Sequence, residues 1–301
     1  MILCCGEALI DMLPVADGTA FAPHPGGAVF NTAIALARLG APSGFFSGLS
    51  TDFFGDLLRA SLSDSGVDSG PCVTSDRPTT LAFVRLVAGQ ASYAFYDENS
   101  AGRMLTEADL PEATAEAFFF GGISLAADPC GAAYAGLMAR ARDAGRVTMI
   151  DPNIRPGFVQ HEAGYRARLA RMLGMADIVK LSLEDLDWLA GSDGEGFTAR
   201  LLDGGTALVL LTDGGKGATA LTASHQLSDP ARAVAVVDTV GAGDTFNAGV
   251  LASLHRDGAL SRAALADLDE STLRAALRMG VAAAGVTVSR AGANPPWADE
   301  I

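Results

Sequence analysis

The sequence has 301 residues, 49% hydrophobic and 19% charged, so it carries enough apolar material for a sizeable core and is neither disordered nor low-complexity. Its 21 Lys+Arg against 35 Asp+Glu give a formal net charge of -14. A surface this acidic repels phosphate backbones and anionic lipid, and no basic patch offsets it, which argues against nucleic acid and membranes as partners.

Short apolar runs alternate with helical patterns along the chain. Ile2–Cys5 reads as a strand, followed by Gly6-Glu7-Ala8. Gly26-Gly27 opens a helix with Phe30, Ala33, Ile34 and Ala37 on one face and a stop at Gly40. Ser43–Gly48 reads as the next strand, and 53–65 as an amphipathic helix closed by Gly66. The runs 81–87 and 92–97 form a predicted hairpin around Ala88-Gly89-Gln90. Then the rhythm becomes regular: strands at 118–120, 147–150, 178–181 and 207–211, and helices at 131–144, 165–173, 183–190, 243–255 and 273–287. This order predicts a mostly parallel sheet covered on both faces. No linker or repeat divides it, so residues 1–301 read as one domain. No apolar run reaches the ~20 residues of a membrane span. Cys4, Cys5, Cys72 and Cys130 lack the spacing of a zinc site or disulfide framework and fit a reducing cytoplasm. The N-terminus carries Glu7 and Asp11 and no basic stretch, unlike a secretory leader. His24, His161, His225 and His255 show no metal spacing.

In parallel α/β sheets, ligands bind beyond the carboxyl ends of the strands. Asp11, Asp151–Arg155, Ser182–Asp185, Thr212–Gly217 and Gly241–Asp244 are therefore expected around one crevice. The most telling segment is 238–251, Asp-Thr-Val-Gly-Ala-Gly-Asp-Thr-Phe-Asn-Ala-Gly-Val-Leu. A turn of small residues at a helix N-terminus aims unpaired amides, and the positive end of the helix dipole, at one point. That makes an anion site without Lys or Arg. Asp244 within it suits a base acting on a hydroxyl, and equally suits a helix cap.

This segment resembles the second signature of the ribokinase-like (PfkB) carbohydrate kinases, and the family's other landmarks follow across nearly the whole chain. The resemblance implies a three-layer α/β/α fold with a small β-sheet lid, its strands drawn from about 12–25 and 79–101. It makes Asp244 the general base, and the amides of Gly241, Ala242, Gly243 and Asp244 the anion hole. Gly26-Gly27-Ala-Val-Phe-Asn31 resembles the first signature, which implies sugar binding by Gly26, Gly27 and Asn31 and, upstream, by Asp11. A dinucleotide-binding turn is the rival, but its glycine spacing is missing. Thr212-Asp-Gly214-Gly-Lys-Gly217 resembles the ATP loop, and Ser182 and Asp185 stand where the family has Asn and Glu near water-held Mg²⁺. Val281 replaces a common Asn beside adenine. Asp238 and the Val240 carbonyl, with 289–292, resemble the K⁺ site of potassium-activated relatives.

The lid hairpin places Tyr93 and Phe95 on one face for a sugar ring, with Ala94 and Tyr96 on the other. Arg155 is the obvious cation at an active strand end. Kinases of acidic keto-deoxy sugars carry an Arg at the position of Asp97, so a carboxylate there favours a neutral sugar. The segments around 93–105, 151–156 and 289–296 are most similar to the fructokinase branch. The resemblance thus implies ATP-dependent phosphorylation of fructose at the 6-hydroxyl with Mg²⁺, in a homodimer joined through the lid; the alternatives are another kinase of the family, for 2-keto-3-deoxygluconate, ribose or a nucleoside, or a non-catalytic sugar sensor on the same fold.

Overall fold

Two-residue alternation in the short strands builds the centre of the molecule. In Ile2–Cys5 (β1), Ile2 and Cys4 join one apolar cluster while Leu3 and Cys5 join another. The computed structural model describes residues 1–15, 18–87 and 90–301, apart from the side chains of 85–87 and 90–93. The strands continue as Leu9–Pro14 (β2) and Phe21–Gly26 (β3). After Ala28–Arg38 (α1) come Ser43–Phe46 (β4), Gly48–Ser50 (β5) and Phe53–Asp64 (α2). Val73–Ser75 (β6), Thr80–Val87 (β7), Gln90–Tyr96 (β8) and Ala117–Gly121 (β9) lead to Cys130–Asp143 (α3). Val147–Asp151 (β10), Glu162–Leu173 (α4), Ile178–Ser182 (β11), Leu183–Ala190 (α5), Gly194–Asp203 (α6) and Leu208–Thr212 (β12) keep the alternation. The chain ends with Ala218–Leu221 (β13), Gln226–Asp229 (β14), Ala242–Arg256 (α7), Arg262–Ala266 (α8) and Glu270–Val288 (α9).

The main sheet runs β14-β13-β12-β11-β10-β9-β1-β4. Pairing is parallel from β4 to β12 and antiparallel at β12–β13 and β13–β14. One apolar cluster joins the sheet to α1, α2, α7, α8 and α9, and the other joins it to α3, α4, α5 and α6. Three layers result, as expected of the ribokinase-like fold. A second sheet, β3-β2-β7-β8, stands apart from the first and corresponds to the expected lid. The centre of its predicted hairpin turn, Ala88-Gly89, lies outside the described residues.

Some elements differ from the sequence reading. Ser43–Gly48 is not one strand: β4 stays in the main sheet, and β5 pairs with β6. The helices α6 and α8 were not anticipated. All four cysteines are free thiols. Among the described residues no helix is long and apolar enough to cross a membrane.

The deepest helix is α7, buried continuously from Asp244 to Leu254. It meets α9 backbone to backbone: a β-carbon on Gly249 would lie 2.8 Å from the Gly280 Cα. On the other side, Phe246 and Val250 fill the space that a side chain at Gly280 would need.

Candidate active site

The irregular stretch after β14 ends at Gly241, whose φ of 78° is left-handed and whose missing side chain leaves room for Ala293. That conformation suits glycine. It turns the chain into α7 with Ala242, Gly243 and Asp244 as its first residues. Ala242 donates its amide to the Thr239 carbonyl at 3.3 Å. The Gly243 and Asp244 amides find no acceptor among the described residues. The Gly241 amide is likewise without an acceptor there, so three free donors stand at the positive end of a fifteen-residue helix, a geometry that suits an anion.

Asp244 is 8% exposed. Asn31, on α1, donates its side-chain amide to Asp244 Oδ2 at 2.9 Å, and Thr32 Oγ1 reaches the Asp244 carbonyl at 3.3 Å. Burial pushes the carboxyl up to about 7, against the pull of the Asn31 bond; Asp151 and Glu7 add to the rise and Lys180 opposes it. A carboxylate poised there is matched to proton transfer near neutral pH. Among the described residues it is in no ion pair, so it is not merely one half of a salt bridge. Asn31, expected at the sugar, is the group that orients Asp244, with its carbonyl oxygen left for another partner.

Beneath the turn lies a buried polar cluster. Lys180, on β11, shares the strand face of Ile178 and points toward α7. Its Nζ lies 3.0 Å from Asp151 Oδ2 and 3.3 Å from where a β-carbon on Gly243 would be. Asn247, one turn after Asp244, donates to the same Asp151 oxygen at 2.7 Å. Burial disfavours the Lys180 charge, but Asp151 and Asp185 outweigh that and hold it protonated.

The sugar-side residues meet through the entry to α1. A side chain at Gly26 would collide with the Asp11 carboxylate, whose pKa burial raises to about 6. Gly27, at φ 113°, has room only for hydrogen, because a β-carbon would lie 2.8 Å from the Glu7 carbonyl oxygen. Glu7 accepts the first α1 amide, from Ala28, at 3.0 Å and the Ser124 amide at 3.4 Å, tying β1, α1 and β9 together. Asp11 and Gly26 thus connect through α1 to Asn31 and Asp244.

In the second sheet, Asp11 is level with Ala82, and Ala82 with Phe95, which places Asp11 and Phe95 on one face. Phe95 packs edge-on against Phe158 at 4.9 Å between centroids, joining this face to the loop after β10. The Tyr93 side chain lies outside the described residues. Arg155, on that loop, is exposed and donates to the Ile154 carbonyl at 3.1 Å; it has no acidic partner among the described residues. Asp97 is internally engaged: its Oδ1 accepts from Thr80 at 2.8 Å and Ser100 at 3.0 Å, and Arg103 pairs with Oδ2 at 3.3 Å. The expected repulsion of acidic substrates by a free carboxylate there loses its basis.

Ser182 and Thr212 are register neighbours at the ends of β11 and β12. Ser182 caps α5, exchanging hydrogen bonds with Asp185, while Asp185 Oδ1 accepts from the Ile154 amide at 2.7 Å. Gly214 and Gly215 face open space, whereas a side chain at Gly217 would strike the Asp229 carbonyl. Gly217 therefore makes the turn, and the open glycines leave room for a ligand. Val281 packs into the core. Asp238 bonds the Val240 amide at 3.1 Å and the Gly292 amide at 2.9 Å, fastening the α7 entrance to the loop after α9. Among the described residues no three His, Cys, Asp or Glu side chains form a metal cage.

The family model described as pfkB family carbohydrate kinase matches residues 1–300. The chain belongs to this family. Among curated proteins, the kinase is 52% identical to a fructokinase of Rhizobium leguminosarum bv. trifolii, over 91% of this chain and 86% of that one. Among solved structures, it matches ATP-bound fructokinase from Xylella fastidiosa with TM-score 0.91 and 34% identity, covering 97% of this chain and 93% of that one. It also matches a fructokinase double mutant from Vibrio cholerae O395, bound to fructose, ADP and potassium ion, with TM-score 0.86, 28% identity and coverage of 97% and 93%.

The sequence reading assigned no role to Lys180, Asn247 or Glu7. A signal existed for the lysine: a charge inside the apolar run Ile-Val-Lys-Leu of a central strand needs a buried partner. Asn247 and Glu7 gave no such signal, because their partners come from distant segments.

Proposed function

We propose that this kinase transfers the γ-phosphoryl group of ATP to the 6-hydroxyl of D-fructose. The observation that carries the reading is a buried carboxyl, Asp244, raised to about 7 and set among free amides at a helix N-terminus. Asp244 takes the proton of the sugar hydroxyl as its oxygen attacks the γ-phosphorus in line. The new O–P bond forms as the bond to the ADP oxygen breaks. The amides of Gly241, Ala242, Gly243 and Asp244 face the charge on the moving group, those of Gly241, Gly243 and Asp244 being without an acceptor among the described residues. Asp11, Gly26, Gly27 and the Asn31 carbonyl hold the sugar, Tyr93 and Phe95 cover it, and Arg155 supplies a free cation at the rim.

Thr212, Gly214 and Gly217, with Ser182 and Asp185, line the nucleotide side. Mg²⁺ would arrive on the nucleotide phosphates, held through water near Ser182 and Asp185, and would neutralise phosphate charge. Asp238 and the Val240 carbonyl are the candidate K⁺ ligands, a reading supported by the potassium-bound relative. We assign the enzyme to the cytoplasm as a single 1–301 domain. We also assign it a homodimer joined through the lid. Phe21, Phe83 and Tyr96 line the sheet face away from Asp11, with ring centroids 5.1 and 5.5 Å apart, and Tyr96 is 62% exposed. An apolar aromatic patch of this kind suits a second copy.

The test is ADP release with ATP and a panel of fructose, ribose, a nucleoside and 2-keto-3-deoxygluconate. Fructose should give the highest kcat/KM, with phosphate at the 6-position by NMR. A higher value for another sugar would replace the substrate, and no turnover with any sugar would overturn the catalytic reading.

A further inference from the structure

We propose that Lys180 is a positioning residue of the reaction: from beneath the Gly241–Asp244 turn it favours the ionised, proton-accepting form of Asp244, and Asp151 with Asn247 fixes it there. The inference rests on Asp244 being the base and extends that reading to a group the family comparison does not assign.

The geometry is specific. The Lys180 ammonium is 4% exposed and is the nearest atom to the space a side chain on Gly243 would take, at 3.3 Å. A larger residue at 243 would press on it. Asp151, at 3.0 Å from Lys180, is also bonded by Asn247, which rides on the same helix as Asp244. One lysine therefore sits between the β10–β11 strand ends and the helix that carries the base.

The charges around Asp244 come from every side. Asn31 on α1 donates to it; Glu7 before β2 and Asp151 on β10 oppose its ionisation; Lys180 on β11 favours it; Asp185 on α5 acts on Lys180. Lys180 is the one cation among these groups. Without it, three carboxylates would face Asp244 and its surroundings uncompensated, and the base would stay protonated at neutral pH. A salt bridge serving only as a strut between strands would affect stability and leave the ionisation of Asp244 alone.

Removing Lys180 alone would orphan the buried Asp151, which would then take up a proton and blur the result. The decisive comparison is therefore Asp151→Asn against Asp151→Asn with Lys180→Met, in the full-length enzyme, reading kcat/KM for fructose against pH. Asp151→Asn removes a negative charge and should move the acid limb to lower pH than wild type. Adding Lys180→Met should move it back up by about one pH unit, the scale of a nearby unit charge in a protein interior. Should Asp151→Asn alone not fold, Asp151→Asn with Lys180→Arg takes its place as the charge-retaining member of the pair. An acid limb that stays the same with and without the lysine charge overturns the proposal, as does a uniform loss of rate with an unmoved limb. A wild-type rate in Asp244→Asn would instead remove the base assignment, and this inference with it.

Discussion

Replacing Asp244 with Asn should slow the enzyme and make it more stable at neutral pH. The wild-type carboxyl is raised from 3.8 to about 7, so ionising it in the folded protein is disfavoured by about 3 units, or ~4 kcal/mol at most. The sign follows from the raised value. Below about pH 4 the group is protonated in both states and contributes no difference. As pH rises through the window from 4 to 7 the unfolded state releases its proton first, and stability falls. Above 7 the full penalty applies. An Asn at 244 keeps an oxygen to accept the Asn31 bond, so the variant removes the charge and little else. Urea midpoints should therefore nearly coincide at pH 4 and separate at pH 8, with the variant the more resistant. The same protein should lose at least ~10²-fold in kcat, the usual weight of a general base. Equal midpoints at pH 8 would refute the burial argument, and an undiminished kcat would refute the chemical one.

Three other outcomes follow from contacts described above. Asn31→Ala removes the bond that opposes the raised carboxyl, so the acid limb of kcat/KM should move to higher pH and kcat should drop about tenfold; a pH profile identical to wild type would count against the bond. Gly217→Ala forces a side chain onto the Asp229 carbonyl at φ 108° and should destabilise by more than about 1 kcal/mol, while Gly215→Ala, facing open space, should keep its melting temperature and raise the KM for ATP. Thermal melts and ATP titrations of the pair check this, and a normal KM in the second variant would separate the loop from the nucleotide. Tyr96→Glu puts charge into the exposed aromatic patch and should give a monomer by light scattering; an unchanged mass would move any dimer contact elsewhere.

The parts of the fold that could be read from sequence were those in which one local pattern decides the outcome. Apolar runs such as Phe118–Phe120 and Val147–Ile150 have only one place in a covered parallel sheet, and both are central strands. The turn at Gly241 was legible because small residues before an amphipathic helix have few other uses. Elsewhere distant partners decided. The strand β3 reads Phe-Ala-Pro-His-Pro-Gly, and its prolines hide it; it exists because it is an edge strand, where a missing amide is tolerated. The break at Ser47 could not be seen locally, because it is β6 that draws β5 out of the main sheet. In the candidate site, Asp244 and the glycines were singled out by the resemblance of their segments to the family's signatures. The clasp of Asn31 on Asp244 spans more than two hundred positions and leaves no local trace; of the Lys180–Asp151–Asn247 cluster, which joins three elements, only the lysine's charge inside an apolar strand shows in the sequence. Asp97 shows the converse: its character suggested a selectivity filter, and its three donors make it a brace.

The glycine-to-glycine seam between α7 and α9 has a bearing on how such an enzyme can be altered. With backbones in contact and every side chain from Asp244 to Leu254 enclosed, the half that bears the acid behaves as an anvil. Adaptation to a new acceptor must then come from reshaping the opposing hammer, the β3-β2-β7-β8 leaf and its rim, while insertions into the anvil would jam it. Laboratory evolution toward other alcohols should accordingly gather its useful changes on that leaf and leave the seam untouched.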